Sequence, residues 1–232
     1  MSDQAPSLCV VVPALNEEEA INDTVHTILT KGEKYGLDIQ ICLINDGSTD
    51  KTGALMDQLA QEHPCISVRH NAQPSGLASS FHHGIDHANG SYLTIIPGDN
   101  AFSADGIDAF FKSIGTTDMV VTFREGQKET RTFIRYFLSM TYTKMMSFLF
   151  GGGLKDYHSM VAYPVKLLRT LNLKAEGPPY QIEAIVKLLR HKPSIAQVPV
   201  SLNARLETRS SALRFKTVQQ LAITILQLLL RR

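Results

Sequence analysis

Cysteine is scarce in this chain. Only Cys9, Cys42 and Cys65 occur, scattered rather than paired. That spacing supports neither a disulfide framework nor a zinc site, and Cys9 and Cys42 fall inside apolar runs as core thiols, so a reducing compartment is expected. A charge excess is missing too. The 23 Lys and Arg nearly balance 22 Asp and Glu, so no global field recruits nucleic acid or an acidic membrane. The opening M-S-D-Q-A-P-S lacks the basic and apolar regions of a signal peptide. G-x-G-x-x-G does not follow the first strand and G-x-x-x-x-G-K-S/T is absent, which weighs against a dinucleotide site and a P-loop. No internal repeat and no long linker divides the chain, so residues 1–232 read as one domain.

What is present is an ordinary globular composition, 44% hydrophobic and 19% charged, enough for a real core. Leu8–Val12 and Ile39–Ile44 are short apolar runs that read as buried strands, followed by Ile66–Val68, Ser91–Ile96 and Met119–Phe123. Helical spacing separates them: Ile21, Val25, Ile28 and Leu29; then Leu55, Met56 and Leu59; then Leu77, Phe81, Ile85 and Ala88. Asn16, followed by Glu17, Glu18 and Glu19, reads as the cap of the first helix. The alternation predicts an α/β fold with a mostly parallel sheet and helices on both faces. After Phe123 the pattern changes. Thr130–Phe150 predicts one long apolar-rich helix stopped by Gly151–Gly153, and Tyr180–His191 predicts another. Ile195–Leu202 then reads as a strand and Ser211–Leu230 as an amphipathic C-terminal helix.

In open α/β sheets, ligands bind beyond the carboxyl ends of the strands. Those ends carry Pro13, Ala14, Leu15, Asn16 and Glu17; then Asn45, Asp46, Gly47, Ser48 and Thr49; then Pro97, Gly98, Asp99 and Asn100. A carboxylate such as Asp46 suits a base N–H or a ribose hydroxyl, and it equally suits an Asx turn capping the next helix. Asp99 suits a divalent cation bridging two phosphates, and P-G-D-N is equally good turn chemistry. His83 and His87 have helical metal-ligand spacing, but no third ligand follows, and a solvated histidine face is the favoured reading.

V-V-V-P-A-L-N-E-E-E, I-N-D-G-S-T-D-K-T, N-A-Q-P-S-G-L-A-S-S-F-H-H-G-I, Y-L-T-I-I-P-G-D-N and Y-Q-I-E-A-I-V followed by Q-V-P-V resemble the family 2 inverting glycosyltransferases of GT-A fold. Within them the chain is most similar to dolichyl- and polyprenyl-phosphate sugar transferases, over about residues 8–215. The resemblance implies a Rossmann-like nucleotide half (1–123) and an acceptor half (124–232). It implies that Pro13, Leu15, Asn16, Glu17, Asp46 and Gly76 line the nucleotide. Asp99 matches the second acid of the family's Asp-x-Asp metal motif, and the first acid falls at Pro97. The resemblance therefore implies Mg2+ or Mn2+, held by Asp99 and the donor diphosphate with water or Asn100, or a weakened use of metal.

A lipid phosphate acceptor is already anionic and needs positive charge and positioning rather than a base. Arg124, Arg131, Arg135 and Arg205 are the candidates, each otherwise a solvated charge. Arg205 resembles the family's R-x-x-G-x-S motif, with Thr208 in place of glycine. Asp156 matches the acid of D-x-T-S-G-F-R, here D-Y-H-S-M-V-A, and Gln181 and Glu183 match a Q-x-E near the donor sugar. Glu183 could equally be an exposed helix acid.

Leu221–Leu230 is too short for a span of about 20 residues. With basic flanks it suits either an interfacial helix or a helix packed on the core. The expected partners are a nucleoside diphosphate sugar, a lipid phosphate, and a membrane surface or membrane subunit, without nucleic acid. The expected location is cytoplasmic, peripheral at the inner face of a membrane. Three alternatives stay open: transfer to a soluble hydroxyl with Asp156 or Glu183 as base, a degenerate non-catalytic nucleotide-sugar binder, and a nucleotidyltransferase. The last lacks its glycine-rich basic loop.

Overall fold

The computed structural model describes residues 7–125, 133–203 and 215–230, without the side chains of 133–136 and 215–218. Its framework follows from strands buried on both faces. Along β1 (Ser7–Ala14), Leu8, Val10, Val12 and Ala14 enter one core while Cys9 and Val11 enter the other. A strand buried on both sides reads as a continuous apolar run, which is why β1 and β2 (Asp38–Asn45) stand out in the sequence. With β3 (Ile66–His70) and β4 (Tyr92–Ile95) they form a parallel half-sheet in the order β3-β2-β1-β4. Cys9 and Cys42 are both buried, free thiols with Sγ atoms 3.9 Å apart.

The other half departs from a simple parallel continuation. β6 (Val161–Pro164) sits between β4 and β5 (Met119–Arg124) and runs antiparallel to both. β7 (Ile195–Val200) then pairs parallel with β5, giving seven strands in the order β3-β2-β1-β4-β6-β5-β7. The sheet is thus mixed, with parallel pairs in the majority.

α1 (Ile21–Lys34), α2 (Thr52–Glu62) and α4 (Ala104–Lys112) cover one face through Ile21, Val25, Ile28, Met56, Ile107 and Phe110. α4 lies outside the sequence-based expectations, although its signals are present. The Ser103 hydroxyl caps it by accepting from Gly106 N–H, and Ile107, Phe110 and Phe111 follow at helical spacing.

The opposite face is covered by α3 (Gly76–His87), α5 (Phe133–Phe150), the short α6 (Val165–Leu168), α7 (Tyr180–Leu189) and α8 (Phe215–Leu230). α5 stops where Gly151, Gly152 and Gly153 all take positive φ, a conformation that other residues adopt only with strain.

Two expectations change here. Asn16 does not cap α1. It stands at φ 56°, four residues before the Ala20 cap, and its side chain reaches into the loop after β2. Leu77 does not face the core of α3: it is 45% exposed, one turn before buried Phe81.

α8 resolves the choice left open for Leu221–Leu230 in a mixed way. Leu228 is buried, with Leu221 and Ile225 packed against the core, while Ile223, Leu226 and Leu230 stay exposed. Among the described residues no helix is long and apolar enough to cross a membrane.

Phe81 is fully buried, with its ring 5.2 Å from that of Tyr163 and 4.9 Å from that of Tyr180. It joins α3, β6 and α7. Phe81→Ala is expected to cost about 3–5 kcal/mol. The check is urea unfolding, with a lower midpoint at an unchanged slope.

Candidate functional site

The rim of the sheet is tied together by hydrogen bonds that run from loop to loop. Where β1 ends, Asn16 accepts from Thr49 N–H at 2.8 Å, and its own N–H donates to Ser48 Oγ at 3.0 Å. Glu17 N–H donates to Thr52 Oγ1 and Glu18 N–H to Asp50 Oδ2, while Lys51 N–H returns to Glu18 Oε2. The loops after β1 and β2 therefore form one unit. The loop after β4 joins them through Gly98, whose N–H donates to Pro13 O; a Cβ there would stand 2.8 Å from the Ala14 Cβ.

Asp46 is 7% exposed and collects four donors: Ser75 N–H at 2.7 Å, Ser75 Oγ–H at 2.8 Å, Asn71 Nδ2 at 2.9 Å and Gly76 N–H at 2.9 Å. Burial alone would raise its pKa. The bonds from Ser75, Asn71 and Gly76 outweigh it and hold the carboxyl below its ordinary value. Asp46 thus secures the start of α3, and Gly76 meets it at φ 81°. Asp46 does not cap α2, the alternative reading for it: the cap position there is Lys51, without a side-chain bond, and Thr52 N–H donates to Asp50 Oδ1 just before it.

Asp99 is treated differently. Among the described residues its Oδ1 accepts from Ala101 N–H at 3.1 Å, inside its own turn. That bond does not offset desolvation, and burial leaves its pKa raised. An under-compensated carboxylate next to Pro13 and Ala14 fits a divalent cation. Among the described residues no group of three His, Cys, Asp or Glu could hold one. Diphosphate and water would therefore have to complete the shell.

The Asp99 loop is clamped from the far side of the sheet. Asn203 Nδ2 donates to Asn100 O at 2.8 Å and Asn203 N–H to Ala101 O. Arg205, two residues further on, and Arg131 lie outside the described residues, as does the Arg135 side chain.

Beyond Asp99 a cleft of roughly 100 Å³ opens between β4, β6 and α7, lined among others by Leu77, Pro97, Phe102, His158, Tyr180 and Gln181. Gln181 donates its amide to Ser159 O across this cleft. Arg124 is already paired: Nε donates to Asp156 Oδ2 at 2.9 Å, and Asp156 Oδ1 accepts from His158 N–H.

Glu183 is placed elsewhere. It is 6% exposed, its Oε2 accepts from Lys174 and Ala175 N–H, and its Oε1 pairs with Lys187. It is therefore neither an exposed helix acid nor one of the residues lining the cleft.

His158 is the cleft residue that the sequence reading did not single out. Its signal was the departure from the D-x-T-S-G-F-R pattern at that position. The ring is open to the cleft but surrounded by protein mass and stacked on Tyr142, with centroids 5.4 Å apart. This poor solvation lowers its pKa despite nearby Asp156.

The rings of His83 and His87 lie against each other at a tilt of 30°, with centroids 4.0 Å apart. The Nδ1 of His83 accepts from Arg69, and the Nδ1 of His87 donates to His83 O.

The profile described as glycosyl transferase family 2 matches residues 9–171. A polyprenol monophosphomannose synthase of Mycolicibacterium smegmatis is 25% identical over 208 residues, covering 84% of this chain and 77% of that protein. A dolichyl-phosphate beta-glucosyltransferase of Trichomonas vaginalis is 27% identical over 161 residues, covering 64% and 50%. The glycosyltransferase GlyG of Streptococcus pneumoniae is 29% identical over 111 residues, covering 48% and 36%. The chain thus spans half or less of the length of the latter two.

Among solved structures, the glucosyl-3-phosphoglycerate synthase of Mycobacterium tuberculosis with uridine diphosphate superposes with a TM-score of 0.71 at 19% identity, covering 97% of this chain and 80% of that one. The mannosyltransferase of Pyrobaculum calidifontis with GDP-Man and Mn2+ gives 0.68 at 17%, covering 99% and 66%. At such identities the likeness shows the fold alone.

Asp46 generates a stability prediction with a definite sign. A carboxyl whose pKa is lowered by folding stabilises above its unfolded pKa of about 3.9, and that contribution disappears as pH falls through the folded value. Asp46→Asn is expected to cost about 1–3 kcal/mol at pH 7, with the gap to wild type closing below about pH 4. Urea unfolding at a series of pH values measures it.

Proposed function

The chain belongs to glycosyl transferase family 2, and from that premise we propose that it transfers a sugar, with inversion, from a nucleoside diphosphate sugar to a polyprenyl phosphate. The observation that carries the reading is Asp99: a carboxylate poorly compensated by its own turn, on a rim where the loops after β1, β2 and β4 are bonded into one surface. Pro13, Leu15, Asn16, Glu17, Asp46 and Gly76 belong to the donor side of that surface. Asp46 shapes it by holding the start of α3. A cation at Asp99 would neutralise charge on the departing diphosphate. With Pro97 in place of the motif's first acid, its affinity depends on the nucleotide being bound. Relatives named for polyprenol and dolichyl phosphate support the lipid acceptor.

An acceptor phosphate carries its own negative charge, so the protein has to supply cations and alignment rather than a base. Arg124, steadied by Asp156, and Arg131, Arg135 and Arg205 are the proposed cations. Exposed Phe137, Leu138 and Phe148 on α5 and Leu226 and Leu230 on α8 offer apolar surface for a lipid chain or a membrane face. Residues 1–123 would bind the donor and 124–232 the acceptor, within one domain.

One observation favours a second reading, transfer to a soluble hydroxyl. The His158 imidazole, its pKa held down by desolvation, lines the cleft and could take the hydroxyl proton. Asp156, already paired, and Glu183, held outside the cleft, are poorer bases.

Asp99→Ala is expected to lower transfer by about 100-fold or more, and binding of UDP or GDP without metal should be little changed. Full activity of this variant in the presence of a chelator would remove the metal role. Offering polyprenyl phosphate and phosphorylated sugar alcohols side to side separates the two readings. Under the first reading the lipid phosphate is turned over and His158→Ala keeps that activity; under the second the soluble hydroxyl is turned over and His158→Ala loses it.

A further inference from the structure

The orientation of one buried amide can be deduced without ambiguity. Asn45, the last residue of β2, is 8% exposed. Its Oδ1 accepts from Ser48 N–H at 3.0 Å, and a backbone N–H can only donate. Its Nδ2 must then be the donor in the 3.0 Å contact with His70 Nδ1. His70 Nδ1 is consequently unprotonated, so a neutral His70 carries its proton on Nε2 and donates it to Asp57 Oδ1, also at 3.0 Å. The direction of every bond in this series follows from a single backbone amide.

The architecture has been cut to fit the series. Asn45 and His70 are register partners on β2 and β3. Gly53 and Asp57 lie four apart on α2, on the face turned to that pair. A Cβ at Gly53 would stand 2.7 Å from Asn45 Nδ2 and 3.4 Å from His70 Cε1, so any larger residue there would displace the amide. At the other end, Ser48 Oγ accepts from Asn16 N–H and Asn16 Oδ1 from Thr49 N–H.

We propose that His70, braced by Asp57 as the Nε2–H tautomer, is a positioning residue for the donor nucleotide: it fixes the Asn45 amide and through it the Asn45–Thr49 loop and the loop after β1. This rests on the reading of that rim as the nucleotide-sugar site. His70 itself stands behind the rim, and its ring meets the rim at the Asn45 amide.

The test has two arms, both on the full chain. Long-range 1H–15N spectra of wild type should show His70 protonated on Nε2; protonation on Nδ1 overturns the proposal. The second arm titrates UDP and GDP with Mn2+ by calorimetry into wild type, His70→Leu and His70→Asn, with folding confirmed by thermal melts. Asn places Oδ1 near the position of Nδ1 and can still accept from Asn45. His70→Leu should weaken the bound nucleotide by about threefold to tenfold, and His70→Asn should recover most of that loss. Equal affinity for wild type and His70→Leu overturns the proposal, and so does an equal loss in both variants. If wild type binds neither nucleotide, the functional reading itself falls and takes this inference with it. That result differs from a normal wild type with an indifferent His70→Leu.

Discussion

A buried carboxylate that must find donors organises the rim. Asp46 has left water almost completely, and an ionised group does so only where hydrogen bonds replace its hydration. Its four donors come from Asn71, Ser75 and Gly76, so the exit of β3 and the first turn of α3 converge on the exit of β2. Glycine at 76 allows the approach through a left-handed backbone. Once these segments are fixed, the loop after β1 has partners to bond, and the loop after β4 can lean on it through Gly98. Asp99, by contrast, is met among the described residues by the Ala101 N–H of its own turn.

Much of this was legible in the sequence, for identifiable reasons. β1 is buried on both faces along most of its length and β2 over Ile41–Ile44, so both stand out as apolar runs, and the inward faces of α1 and α2 follow simple helical spacing. β6 was hidden because four residues, V-A-Y-P, carry too short a pattern, and an antiparallel insertion breaks the alternation of strand and helix. α4 announced itself through Ser103 and Ile107, Phe110 and Phe111, and those cues were readable. Asn16 was misleading because a residue that caps helices is also one that tolerates a left-handed backbone and bonds neighbouring loops. Its partner, Thr49, is distant in sequence, and local pattern carries no information about it.

The site shows the same division. The placing of Asp46 and Asp99 on one rim followed from strand ends alone. That Asp46 braces α3 did not, since its donors arrive from a different connection. Glu183 resembles a solvent-facing helix acid by position, yet two backbone amides and Lys187 draw it inward. His158 stood in plain view as a departure from a motif, and only the cleft gives the departure chemical content.

The reversed strand β6 has a geometric consequence. In a uniformly parallel sheet every wall of a pocket is built from segments leaving the strands. Because β6 runs the other way, the approach to it, Asp156 to Met160, arrives at the edge where its neighbours depart. Two walls of the same hollow are therefore written in separate stretches of the gene, one downstream of β4 and one upstream of β6. Mutations can remodel what enters beside His158 without rewriting the stretch that carries Asp99.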